Sequence, residues 1–232
     1  MEDTLTDDLP GPIEEGQTDE GVARVLTVGY PTVQPSAAGL DPFVRVDYGV
    51  GGGSIPQDDV SITTLVGDQL AAAGKDLGRF ADLQAFRLPV LHPARTLIEK
   101  LCIVHGLAAR IEGGNRHVRS REARHYDDLW YLLDEHRCPA LRWIDEHGDI
   151  GPLVDDCVRI TRDHDGSEPP IPGQGIARGP AFTDPEVLEP AGKTYKRMLR
   201  TLAFPGRQHP SLDDVRARVS EHAPRLRAAV QR

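Results

Sequence analysis

The chain has 232 residues, 27 Lys and Arg against 36 Asp and Glu, a formal charge of -9, and 39% apolar but only 5% aromatic residues. These values exclude a collagen-like, disulfide-stapled or membrane-spanning class, and the length suits one large domain or two small ones. Eight acids and no Lys or Arg among residues 1–20 account for -8 of the charge. The body is therefore nearly neutral, and the low isoelectric point does not argue against a phosphate-binding face.

In chain order, residues 1–20 are acidic and poor in large apolar groups, which predicts a disordered tail. Residues 22–30 are β-rich, and Phe43 to Tyr48 alternates cleanly, so the two are expected to pair as a hairpin. Gly49, Gly51, Gly52 and Gly53 follow without the spacing of a phosphate-binding loop, which favours an ordinary turn. Residues 60–70 pass from a β-branched run to a helix-like ending, and Ala85 to Leu91 predicts another strand. A strong helix is expected from Ala94 to Arg110, ended by Gly113-Gly114, and a second from Ser120 to Glu135. Further helices are predicted at 141–146, 152–162, 191–203 and 211–230, the last kinked near Pro224. The Pro- and Gly-rich residues 164–186 predict a long loop. Strands first and helices afterwards predict an α+β fold: a partial sheet over 21–92, then a helical region over 93–232.

Cys102, Cys138 and Cys157 are odd in number and lack C-x-x-C spacing, as expected in a reducing compartment. No apolar run approaches the roughly 18 residues of a spanning helix. A soluble cytoplasmic protein with no membrane partner is the expectation.

Three constellations could carry chemistry. Asp47 sits mid-strand among apolar neighbours, either on an exposed face beside Arg45 or as a cation ligand. Thr96 and Lys100 are four apart on one helix face and present a hydroxyl and an ammonium to a common ligand or to solvent. Arg116, Arg119, Arg121, Arg124 and His125 then lead into Asp127 and Asp128. Such a run is either a phosphate-binding face or a solvated one, and adjacent helical acids diverge by about 100°.

The run from Leu91 to His105, followed by Ser120 to Leu132, resembles the AbiEii/AbiGii toxin family of nucleotidyltransferases. The family pattern is a P-x-R-T-x-x-E-K-x-x-x-x-H helix and an S-R-H-Y-x-D-L helix. Tyr30-Pro31, Val44 to Asp47 and Tyr195 to Met198 resemble its Y-P element, an acid-bearing strand and a Y-x-x-M helix. The resemblance implies transfer of NMP from NTP, with Mg2+, onto tRNA, another RNA or a protein. It also implies a toxin of a toxin–antitoxin or phage-defence pair with a cognate antitoxin. Carried over by position, Asp47 is a catalytic and metal-binding acid, Lys100 and Asp128 are catalytic, and Thr96, Lys100 and Arg124 contact the nucleotide. An offset of one would exchange the roles of Asp127 and Asp128.

The family's first motif, a G-G-T/S turn followed by a D-x-D pair, has no counterpart in residues 1–29. Two-metal chemistry needs converging carboxylates that one Asp cannot supply. The sequence thus resembles the C-terminal two thirds of such an enzyme, and as written it is expected to transfer little. The alternative is a degenerate, non-catalytic relative that binds RNA or an antitoxin.

Overall fold

In the computed structural model of the chain, four strands, one short α-helix and a fifth strand precede the main run of helices among the described residues, an α+β arrangement. It describes residues 13–18, 23–29, 43–49, 53–78, 80–165, 168–202 and 209–227. The Tyr30-Pro31 element, Gly51 and Gly52, and most of the acidic N-terminal stretch lie outside the described residues. Two units are distinguished: Met1–Gly53 with Ile160–Ser167, and Ser54–Arg159 with Glu168–Arg232.

The first unit holds an antiparallel sheet of order β1-β2-β3, made of β1 (Ile13–Thr18), β2 (Ala23–Gly29) and β3 (Phe43–Gly49). The expected hairpin is present, with Leu26 opposite Val46 and Val25 opposite Asp47. The expectation of a wholly disordered stretch over residues 1–20 requires correction, because Ile13–Thr18 pairs along its whole length with β2. Composition alone hid this strand. An edge strand takes its hydrogen bonds from its neighbour and tolerates acids such as Glu14 and Glu15.

The second unit opens with a hairpin of β4 (Gln57–Ile62) and β5 (Phe86–Leu91), with α1 (Leu65–Ala72) in the connection. A 20-residue helix, α2 (Pro93–Glu112), then spans about 30 Å. Its start is specified locally: Pro93 occupies the first turn, and His92 Nδ1 accepts the Ala94 N–H at 3.1 Å. Leu97, Ile98, Leu101, Val104, Ala108 and Ile111 form its buried stripe. Gly114 at φ 94° permits the reversal into α3 (Ser120–Leu132). Arg110, late in α2, pairs with Glu122, early in α3, while Lys100 reaches Asp128, late in α3. The two helices are therefore antiparallel.

Around this pair stand α4 (Ala140–His147), α5 (Gly151–Asp165), α6 (Pro180–Thr183), α7 (Pro185–Leu202) and α8 (Leu212–Glu221). The predicted loop over 164–186 is shorter than expected because α6 and α7 both begin on a proline. Proline's fixed φ and absent N–H suit the first helical position, so these residues start helices instead of excluding them. Pro190 lies inside α7, where it cannot donate to the Glu186 carbonyl. Arg116 Nη2 donates to that oxygen instead, at 3.4 Å. The last helix ends at Glu221, short of the predicted 230. Pro224 accounts for this stop, since its ring opposes helical backbone at the preceding residue. Among the described residues no helix is long and apolar enough to cross a membrane.

Candidate functional site

The helical period divides the R-T-x-x-E-K segment of α2 between two environments. Arg95 is 1% exposed and donates through Nε to Glu99 Oε1 at 2.8 Å. Its Nη1 binds Asp156 of α5 and the Ile55 carbonyl. Asp156 also accepts from Arg159 at 2.5 Å, completing a four-residue ion network. The Arg95 guanidinium, aided by Arg159 and opposed by partial burial, holds the Asp156 carboxyl below its ordinary range. Arg95 and Glu99 thus join α2 to α5 and do not line the candidate pocket.

Thr96 and Lys100, one position further along in each case, face the other way. They line a cavity of about 440 Å3 with Arg124, Asp128, Tyr131 and Leu132 of α3. Arg124, Asp128 and Tyr131 follow a 4-then-3 spacing, which puts them on one helix face. Lys100 Nζ lies 3.4 Å from Asp128 Oδ2. His125 Nδ1 lies 3.3 Å from the same oxygen. Burial would raise the Asp128 pKa, but His125 and Lys100 outweigh it and hold the carboxyl below its usual range.

The two adjacent acids of α3 diverge as helix geometry requires. Asp127 turns toward α7, where the single Tyr195 hydroxyl proton is shared between its Oδ1 and the Pro210 carbonyl, each 3.1 Å from Oη. His209 Nδ1 stands 3.5 Å from the same carboxylate oxygen. Burial, followed by the Asp127 charge, pushes the Tyr195 phenol up. Only Asp128 of the pair shares the cavity with Lys100.

The final histidine of the segment, His105, is 1% exposed and contacts the Ile176 carbonyl through Nε2 at 2.5 Å. Burial lowers its pKa and favours the neutral ring. Gly179 lies so close that a Cβ there would meet His105 Cε1 at 2.5 Å. His105 is therefore a packed core group. The arginine run is also divided: Arg116 pairs with Glu186, whereas Arg121 and Arg124 are exposed. Within α7, Lys193 Nζ donates to Glu189 Oε1 at 2.7 Å.

Asp47 lies on β3 in the first unit, and its side chain lies outside the described residues. Tyr131 and Leu132 of the cavity were not singled out by sequence reading, although Tyr131 falls seven residues after Arg124. That spacing was available as a signal. Among the described residues no group of three His, Cys, Asp or Glu could hold a metal ion. Asp128 is the single carboxylate among the described residues that line the cavity, so they do not supply the converging acids of a magnesium site.

A family model described as nucleotidyl transferase AbiEii toxin, type IV TA system, matches residues 2–230. No curated protein and no solved structure gives a match.

Proposed function

The chain belongs to the nucleotidyl transferase AbiEii toxin family, and from that premise we propose that it transfers NMP from an NTP to an RNA acceptor, tRNA in the first instance. Family membership itself implies a nucleotidyltransferase toxin with an NTP substrate and a cognate antitoxin. The observation that carries the finer reading is the convergence of Thr96, Lys100, Arg124 and Asp128 on one cavity. In this reading Lys100 and Arg124 neutralise phosphate oxygens, and Thr96 donates its hydroxyl to them. Asp128 takes the proton of the acceptor hydroxyl as its oxygen attacks the α-phosphorus and pyrophosphate leaves. Nucleotidyl transfer in general uses a divalent metal, with Mg2+ the proposed ion, to neutralise the departing phosphates. Asp47 is assigned to metal binding on its sequence match alone, and no step is derived through it.

The test incubates the full chain with each α-32P-labelled NTP, magnesium and tRNA, then compares wild type with Lys100→Ala and Asp128→Asn. Little label is expected from a chain without a G-G-T/S and D-x-D counterpart in residues 1–29, and the label that tRNA does acquire should fall about 100-fold or more in both variants. Label that persists in both would remove this cavity from the reaction. Salt-sensitive tRNA binding without label transfer would favour the non-catalytic reading.

A further inference from the structure

Both polar contacts of the Asp128 carboxylate fall on one atom. His125 Nδ1 and Lys100 Nζ approach Oδ2 at 3.3 and 3.4 Å, and Oδ1 has no hydrogen-bond partner among the described residues. The two sides of the contact differ in exposure: the His125 side chain is 11% exposed and that of Asp128 is 39% exposed. An enclosed ring thus grips a carboxylate that opens onto the cavity.

Helix geometry explains why such a grip is needed. His125 and Arg124 precede Asp128 by three and four residues, so both lie within reach of its carboxylate, and Lys100 approaches from α2. A freely rotating carboxylate could turn either oxygen toward the guanidinium or the ammonium, so no single oxygen would be held toward the cavity. A planar neutral ring has one donor direction and few rotamers, and an enclosed ring keeps that direction.

We propose that His125 is a positioning residue: it holds Asp128 by Oδ2, so that Oδ1 faces the cavity as the proton acceptor. This rests on the reading of the cavity as the transfer site. It requires the proton of the neutral ring to sit on Nδ1, because only a protonated nitrogen donates to a carboxylate. Neutral histidine in water prefers the Nε2–H form, so the proposal carries its own spectroscopic signature.

The experiment has two arms on the full-length chain. In the first, 15N-labelled wild type is measured at about pH 8, above the ordinary histidine range, and the His125 resonances are assigned by their loss in His125→Asn. An Nδ1–H tautomer in wild type that reverts to Nε2–H in Asp128→Ala is expected. An Nε2–H tautomer in wild type would overturn the proposal whether or not the chain transfers nucleotides. In the second arm, His125→Leu lowers kcat for label transfer roughly 10- to 100-fold with KM for the nucleotide unchanged. His125→Asn, whose amide Nδ2 reaches the place of Nδ1, restores most of the rate. Equal losses in the Leu and Asn variants, or a change confined to KM, would count against positioning. An Nδ1–H tautomer in a wild-type chain without transfer would leave the hydrogen bond standing and overturn the transfer reading, and with it the assigned role.

Discussion

Two sides of α2 use the same chemistry for different ends. On one side Arg95, Glu99, Asp156 and Arg159 form an ion network whose central guanidinium is almost fully buried. On the other, Lys100 and Asp128 form a partly exposed pair at the rim of a cavity. A charge enclosed by its partners has no capacity left for a ligand, and its removal strands the others in a dry site. A charge at a cavity wall keeps part of its field for solvent or substrate. Adjacent polar positions of one motif, Arg95 beside Thr96 and Glu99 beside Lys100, need not share a role, because a 100° turn per residue separates neighbours.

The two sides of α2 separate most clearly on substitution. Arg95→Ala is expected to destabilise the fold by about 3 kcal/mol, since it opens the buried network and removes a packed stem. Urea unfolding measures this loss. Lys100→Ala is expected to leave the midpoint almost unchanged while abolishing nucleotide transfer. Equal stability losses at the two positions would show that the two sides of α2 are not distinct.

Acid titration sharpens the same contrast. The folded-state pKa of Asp156 is depressed, so its contribution is fully present above the ordinary carboxyl value of about 3.9 and is lost as pH falls toward the folded value. Wild type should therefore lose stability over that acid window. Arg95→Ala should show a shallower loss there, because the charge that depresses Asp156 is gone. Parallel pH–stability curves for the two proteins would contradict the assignment.

A smaller effect is expected where Asp127 meets α7. Tyr195→Phe removes the hydroxyl that serves both Asp127 and the Pro210 carbonyl, at a cost of about 1 kcal/mol. Thermal unfolding followed by circular dichroism would register it. The smallest effect belongs to Arg116, whose 3.8 Å pair with Glu186 is exposed. Arg116→Ala should lower stability by about 0.5 kcal/mol or less through that pair. A loss well above this would locate its importance in the cap on the Glu186 carbonyl beside Pro190.

Helix periodicity, proline and glycine punctuation and strand alternation act over a few residues, so they are readable from sequence alone. They located α2 and α3 to within about three residues at each end, a normal uncertainty for helix boundaries. They also grouped Thr96 with Lys100, and the sequence resemblance identified the family before any coordinates. Other features depend on partners far away in the chain. The strand Ile13–Thr18 exists through its pairing with β2, which an acidic composition does not announce. The enclosure of Arg95 depends on Asp156, 61 residues later, and that of His105 on Ile176, 71 residues later. Local patterns constrain which side chains share a face of one element, because backbone geometry sets that directly. Which face meets a carboxylate, a core or an open cavity is decided only when distant segments pack, since burial and charge pairing are properties of the assembled surroundings.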